Sequence, residues 1–213
     1  MYVPMTKNPA VIVLIAVTVA AYLVQGASGD AFELLFALWP WQAAGDGHSY
    51  FHVWQIVTYA FLHDTHNITH ILFNMIGVFM FGAPLERYLG GLKLYACYFA
   101  AVVTAALTQL IVPPLMGAPG LPTVGASGGV FGLLLAYAVM FPQAKVALLI
   151  LPIPLPARIF AALYAAVELY LGVTGTQSGV AHFAHLGGLV GSALVIVAWR
   201  RQARRAGAGG RTQ

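Results

Sequence analysis

Residues 125–132 read Gly-Ala-Ser-Gly-Gly-Val-Phe-Gly, and the tetrapeptide Gly-Ala-Ser-Gly stands once more at 26–29. A serine hydroxyl is a poor nucleophile until a base takes its proton, and histidine is the usual base near neutral pH. The chain holds seven histidines: His48, His52, His63, His66, His70, His182 and His185. "HILFN" puts His70 and Asn74 at i and i+4, on one face if the segment is helical. "AHFAHLGG" carries His182 and His185. Acyl transfer also needs donors aimed at a developing oxyanion. A helix N-terminus supplies free N–H groups, and His or Asn side chains add more. The residue types for nucleophilic acyl transfer are therefore present, and the question is which elements could bring them together.

The solvent of those elements is the bilayer. Of 213 residues, 60% are hydrophobic and 8% charged, against roughly 25% charged in a soluble protein; the mean hydropathy is +0.82. A span needs about 20 apolar residues. Six candidates appear, near Pro9–Val24, His70–Leu89, Leu92–Val112, Ala126–Phe141, Ala157–Leu171 and Ala181–Trp199. The expectation is an all-α integral membrane protein, one domain over 1–199 with a basic, disordered cytoplasmic tail, 200–213, Gly-rich after Arg205. The first span reads as a retained helix rather than a secretory signal, because only Lys7 precedes a long apolar run. The single cysteine, Cys97, excludes an internal disulfide. Five of the ten Lys and Arg residues lie in the last fourteen positions; beside an apolar span they read as an anchor near anionic lipid, not as a nucleic-acid site. No nucleotide loop, heptad or long-period repeat appears.

Charge sorts the two sides. With six spans every Lys and Arg falls on one side: Lys7, Arg87, Lys93, Lys145, Arg158 and the run from Arg200. Positive-inside then puts both termini in the cytoplasm. All seven histidines fall on the other side, with Asp30, Glu33, Asp46 and Asp64. The long first outer loop, 26–67, is apolar and aromatic yet too interrupted to span, so it should lie partly embedded with Trp39, Trp41 and Trp54 at headgroup depth. Spans 2, 4 and 6 run inward, so Ser127, His70, Asn74, His182 and His185 start three parallel helices at one depth. Gly125 and Gly128 leave room beside Ser127 for a helix or a substrate backbone. Gly187, Gly188, Gly191 and Ser192 supply matching small residues on span 6. Ser28 follows an outward span and reads as loop punctuation.

At this point four motifs, "VWQIVTYAFLH", "HILFN", "GASG" and "AHFAHLGG", taken in that order on six spans, resemble those of the rhomboid intramembrane serine proteases. The resemblance covers nearly the whole chain and implies a six-helix rhomboid-like bundle. It implies Ser127 as nucleophile, His185 as base, and an oxyanion hole of His70, Asn74 and the backbone N–H groups of Ser127 and Ala126. Phe131, at i+4 from Ser127, matches the aromatic that packs on the catalytic imidazole. Proteases of this kind need no cofactor and cut transmembrane segments of other membrane proteins. Two features depart from the pattern. Gln55 follows Trp54 where many members carry arginine, so that arginine's role is absent or reassigned, and the extra histidine His66 between His63 and His70 blurs the alignment of His63.

Other assignments compete. A metal site from His63, His66 and His70, closed by His182 or His185, lacks an acidic or cysteine ligand in register, so no metal is expected. Glu168, in span 5, is expected to be a buried protonated acid bonded to a neighbouring helix, with a triad role toward His185 as the alternative. His182 reads as a neighbour at the membrane surface rather than the base. Asn67 or Thr69 should cap span 2 rather than carry a glycan. The loop 172–180 is expected to cap the cavity and open with span 5. A catalytically inactive binder of the same fold is the first rival, and the intact Ser127/His185 pair argues against it. A transporter or proton relay would spread ionisable residues through the bilayer, whereas here they cluster. The short tails suggest a prokaryotic plasma membrane. Substrate and oligomeric state are not legible.

Overall fold

A computed structural model describes residues 8–42, 49–117, 121–147, 153–175 and 181–209, with side chains described to 206. The order is α1 (Pro9–Ser28), α2 (Asp30–Phe36), α3 (Gln55–Thr58), a 3-10 turn (Tyr59–Phe61), α4 (Ile68–Leu89), α5 (Gly91–Leu115), α6 (Ser127–Met140), an antiparallel ribbon of β1 (Lys145–Val146) and β2 (Leu155–Pro156), α7 (Ala157–Thr174) and α8 (His182–Gly209). Among the described residues five helices, α1, α4, α5, α7 and α8, are long and apolar enough to cross a membrane.

The fourth expected span is the short one. Helix α6 has 14 residues, a rise of about 21 Å against a hydrocarbon core of about 30 Å. It packs among α4, α5, α7 and α8, so its start is sunk inside the bundle. Small residues permit this. Gly188 of α8 lies so close to the Gly128 carbonyl that a Cβ there would overlap it, and Gly132 faces Ala101, the Gly188 carbonyl and Ser192. The other α8 stripe, Gly187 and Gly191, faces Thr104 and Thr108 of α5 instead. The span 6 glycines thus serve two neighbours rather than α6 alone.

Several boundaries differ from expectation for identifiable reasons. Helix α1 runs on to Ser28 and ends at Gly29, whose φ of +63° suits glycine, so Ser28 is a helix terminus and not loop. Helix α8 continues to Gly209, so residues 200–209 of the tail expected to be disordered are helical. Asn67 is the α4 cap, accepting from Thr69 N at 3.1 Å. At its other end α4 supplies Glu86, unassigned by the sequence, to α1: its two carboxylate oxygens each accept one backbone N–H, from Ala10 and Val11, both at 2.9 Å. These are first-turn donors with no intrahelical acceptor, and Glu86 is buried.

Helix direction carries the charge sorting into three dimensions. Arg87 ends α4, Lys93 opens α5 within 5.6 Å of the Trp199 ring, Arg158 opens α7, and Arg200 to Arg205 end α8. His70 and His182 stand at the opposite ends of α4 and α8. Lys7, Asp46, His48 and most of the loop expected to act as a gate lie outside the described residues.

Candidate active site

Three helix starts converge, as chain direction required. Ser127 is the first residue of α6, His185 stands in the first turn of α8, and His70 in the first turn of α4. The Ser127 Oγ and His185 Nε2 are 2.8 Å apart. The His185 ring is stacked on Phe131 with centroids 4.4 Å apart and an interplanar angle of 6°, and Phe131 is stacked in turn on Tyr164 of α7 at 5.0 Å. An imidazole held flat in this way keeps Nε2 aimed at the hydroxyl.

His70 approaches from the opposite side. Its Nδ1 accepts the Asp64 N–H at 3.2 Å, which leaves the proton on Nε2. That nitrogen borders Gly125, where a Cβ would come within 2.9 Å of it. Gly125 has φ +126°, so both conformation and close approach call for glycine here. Asn74 donates one amide hydrogen to the His70 carbonyl at 2.8 Å, leaving a second available. The Ser127 N–H, at the start of α6, has no intrahelical acceptor. The fourth expected donor is occupied: the Ala126 N–H points to His63 Nε2 at 3.3 Å. The expected set is thus brought together except at Ala126.

The chain entering α6 is pinned by the first outer loop. Leu38 and Thr123 exchange backbone hydrogen bonds at 3.0 and 2.9 Å, and the Gly125 N–H donates to the Tyr59 carbonyl at 3.0 Å. The Tyr59 hydroxyl reaches across to the Val102 carbonyl at 2.9 Å. His63 completes the set; burial, with His70 close by, pushes its pKa down to about 3, so it stays neutral and can accept the Ala126 N–H. Sequence reading missed these pins, although "TYAFLH" lies within a motif it had singled out. It left Gln55 open, and here Gln55 is fully buried. Its Oε1 accepts from Trp39 N at 3.3 Å and His52 N at 3.1 Å, while its Nε2 donates to the Tyr50 carbonyl at 3.0 Å. The position's role is reassigned to tying the loop together, without a charge.

Trp41 and Trp54 are exposed, and Trp54 Nε1 donates to the Leu35 carbonyl at 2.9 Å. Ser127, His70, Asn74 and His185 open on a cavity of about 1000 Å³ that also reaches exposed Asp30 and Asp64. The expected buried Glu168 bonds to a neighbouring helix, but its partners are both α8 histidines: its Oε2 lies 2.6 Å from His182 Nδ1 and 2.9 Å from His185 Nδ1. These three residues are the cluster that could hold a metal among those described. The spacing is that of hydrogen bonds, shorter than the roughly 3.3 Å edge between ligands of a tetrahedral zinc with bonds near 2.0–2.1 Å. His63, His66 and His70 form no such cluster: the His63 and His70 ring nitrogens named above face backbone donors, and His66 is exposed.

Comparison with known proteins gives the same outline. The family model described as "Rhomboid domain" matches residues 50–202. The chain is 33% identical over 101 residues to "Rhomboid protein 1, mitochondrial" of Saccharomyces cerevisiae, covering 46% of this chain and 28% of the relative. It is 30% identical over 159 residues to "RHOMBOID-like protein 12, mitochondrial" of Arabidopsis thaliana, covering 68% and 45%. With "Rhomboid protease GlpG" of Serratia proteamaculans the identity is 29% over 183 residues, covering 86% and 60%. The chain thus spans from about a quarter to three fifths of these relatives' length. The order of apolar helices, the buried start of α6 and the match over 50–202 together place this multi-pass membrane protein in the rhomboid family.

Proposed function

We propose that this protein is an intramembrane serine endopeptidase that cuts transmembrane segments of other membrane proteins by a Ser–His dyad. The observation that carries this is the 2.8 Å contact between Ser127 Oγ and His185 Nε2, two residues that line the same cavity. Ser127 attacks the scissile carbonyl carbon, and its proton passes to His185 Nε2. The carbonyl oxygen becomes an oxyanion facing the Ser127 N–H, the Nε2–H of His70 and the free amide hydrogen of Asn74. Collapse breaks the C–N bond as His185 returns the proton to the leaving amine. An acyl-enzyme remains on Ser127, and water activated by the same imidazole hydrolyses it.

The sorting of cations to one end of the bundle supports cytoplasmic termini and a site opening on the outer side, and the lipid bilayer is the medium of the reaction. The test is a fluorophosphonate probe on the purified protein in detergent. Labelling should occur and vanish in Ser127→Ala and His185→Ala with the fold retained. A well-folded protein with no Ser127-dependent labelling would falsify the protease reading and leave the inactive binder of the same fold.

A further inference from the structure

We propose that Glu168 is a positioning acid for the His185 base, so that the site works as a triad with a second histidine, His182, sharing the carboxylate. This rests on the assignment of Ser127 and His185 as nucleophile and base. Glu168 is buried on α7, with 5% of its surface exposed, and one of its oxygens faces two imidazoles.

Proton counting fixes the roles. If His185 Nε2 is to accept the Ser127 proton, the ring must carry its own proton on Nδ1. That Nδ1 lies 2.9 Å from Glu168 Oε2, close enough for an ion pair though out of line for a hydrogen bond; His182 Nδ1, at 2.6 Å, has the aligned one. A protonated acid would offer His185 no counter-charge, whereas a carboxylate accepts the His182 N–H and leaves its negative charge 2.9 Å from His185 Nδ1. The neutral acid expected from sequence therefore gives way to an anion. When His185 takes the serine proton it becomes a cation, and the charge it needs beside it is already in place. A carboxylate so placed does two things: it holds the imidazole in the productive tautomer, and it stabilises the imidazolium.

Among the described residues the groups that face His185 are few. Glu168 comes from α7, with Tyr164 reaching the same stack of rings, His182 from its own helix, and His70 from α4. Helix α6 offers Ser127 and Phe131, and the α5 residues against this stretch of α8 are Thr104 and Thr108, which do not titrate. Of these the anion is Glu168. Removing its charge should lower the affinity of His185 for a proton, and removing His182 should raise it, because the carboxylate then serves His185 alone.

The experiment is the second-order rate of fluorophosphonate labelling of Ser127 against pH, for wild type, Glu168→Gln and His182→Phe, with melting in detergent as a check on folding. Glu168→Gln should label at least tenfold more slowly at pH 8, and the acidic limb of its profile should move down by about one unit or more, the effect expected when an opposite charge within 4–6 Å is lost. His182→Phe should move that limb upward. Opposite displacements are not produced by loosened packing. An unmoved limb in a folded Glu168→Gln, whatever its rate, overturns the proposal. If Glu168→Gln does not fold, an unmoved limb in His182→Phe overturns it. If wild type itself does not label at Ser127, it is the protease assignment that fails.

Discussion

Replacing His70 with alanine probes the oxyanion assignment more sharply than replacing the nucleophile, because the expected loss is partial. The Asp64 N–H fixes the His70 tautomer, so Nε2–H is the donor presented beside Gly125 and Ser127. The Ser127 N–H and one Asn74 amide hydrogen remain after the substitution, while the Ala126 N–H stays with His63. One donor of three is thus removed. Loss of one preorganised donor typically costs about 2.7–4 kcal/mol of transition-state stabilisation, a factor of roughly 10²–10³ in rate. Asp64 is exposed, so water can take up its freed N–H and stability should change little. The assay is the labelling rate of Ser127 resolved into probe affinity and maximal rate, with turnover of a transmembrane peptide beside it. The fall should lie in the maximal rate. A His70→Ala rate within threefold of wild type, or a loss confined to probe affinity, would refute the donor role and leave His70 as a loop anchor.

Other outcomes follow from single contacts. Glu86→Ala strands two buried N–H groups on α1 and should cost about 2–6 kcal/mol, at about 1–3 kcal/mol for each orphaned donor; Glu86→Gln, which keeps one acceptor, should fall between it and wild type in detergent unfolding. Gly188→Ala drives a Cβ into the Gly128 carbonyl, so α8 must move off α6; we expect roughly 1–3 kcal/mol of destabilisation from overpacking and a disproportionate loss of Ser127 labelling, and a wild-type rate would disprove the close-packing account. His63 titrates near its ordinary 6.5 when unfolded but only at about 3 when folded. The unfolded chain then binds more protons between those values, and stability falls as pH drops through that window, by at most roughly 1.4 kcal/mol per unit. The melting gap between wild type and His63→Gln should narrow from pH 7 to pH 4.

How much of this was legible depended on what kind of physics placed each residue. Hydropathy and charge located the helices, and their alternating direction brought Ser127, His70 and His185 together, because a bilayer leaves a chain few ways to run. Contacts made across tens of residues were less visible. Nothing in the spacing of Tyr59 and Gly125, or of Leu38 and Thr123, says that the outer loop holds the chain entering α6. The shortness of α6 was masked by apolar letters on either side of a helix that its 14 residues define. Glu86 and Glu168 show the same limit more exactly stated in energetic terms. An isolated carboxylate in an apolar span costs enough that it must find donors, so sequence could require partners for both without naming them. Glu86 found backbone N–H groups at a helix start, and Glu168 found two imidazoles. On the proposed mechanism that difference matters. Backbone donors cannot change their charge, so Glu86 is suited to holding two helices together, whereas imidazoles can, and a carboxylate beside them would respond to each proton that His185 accepts.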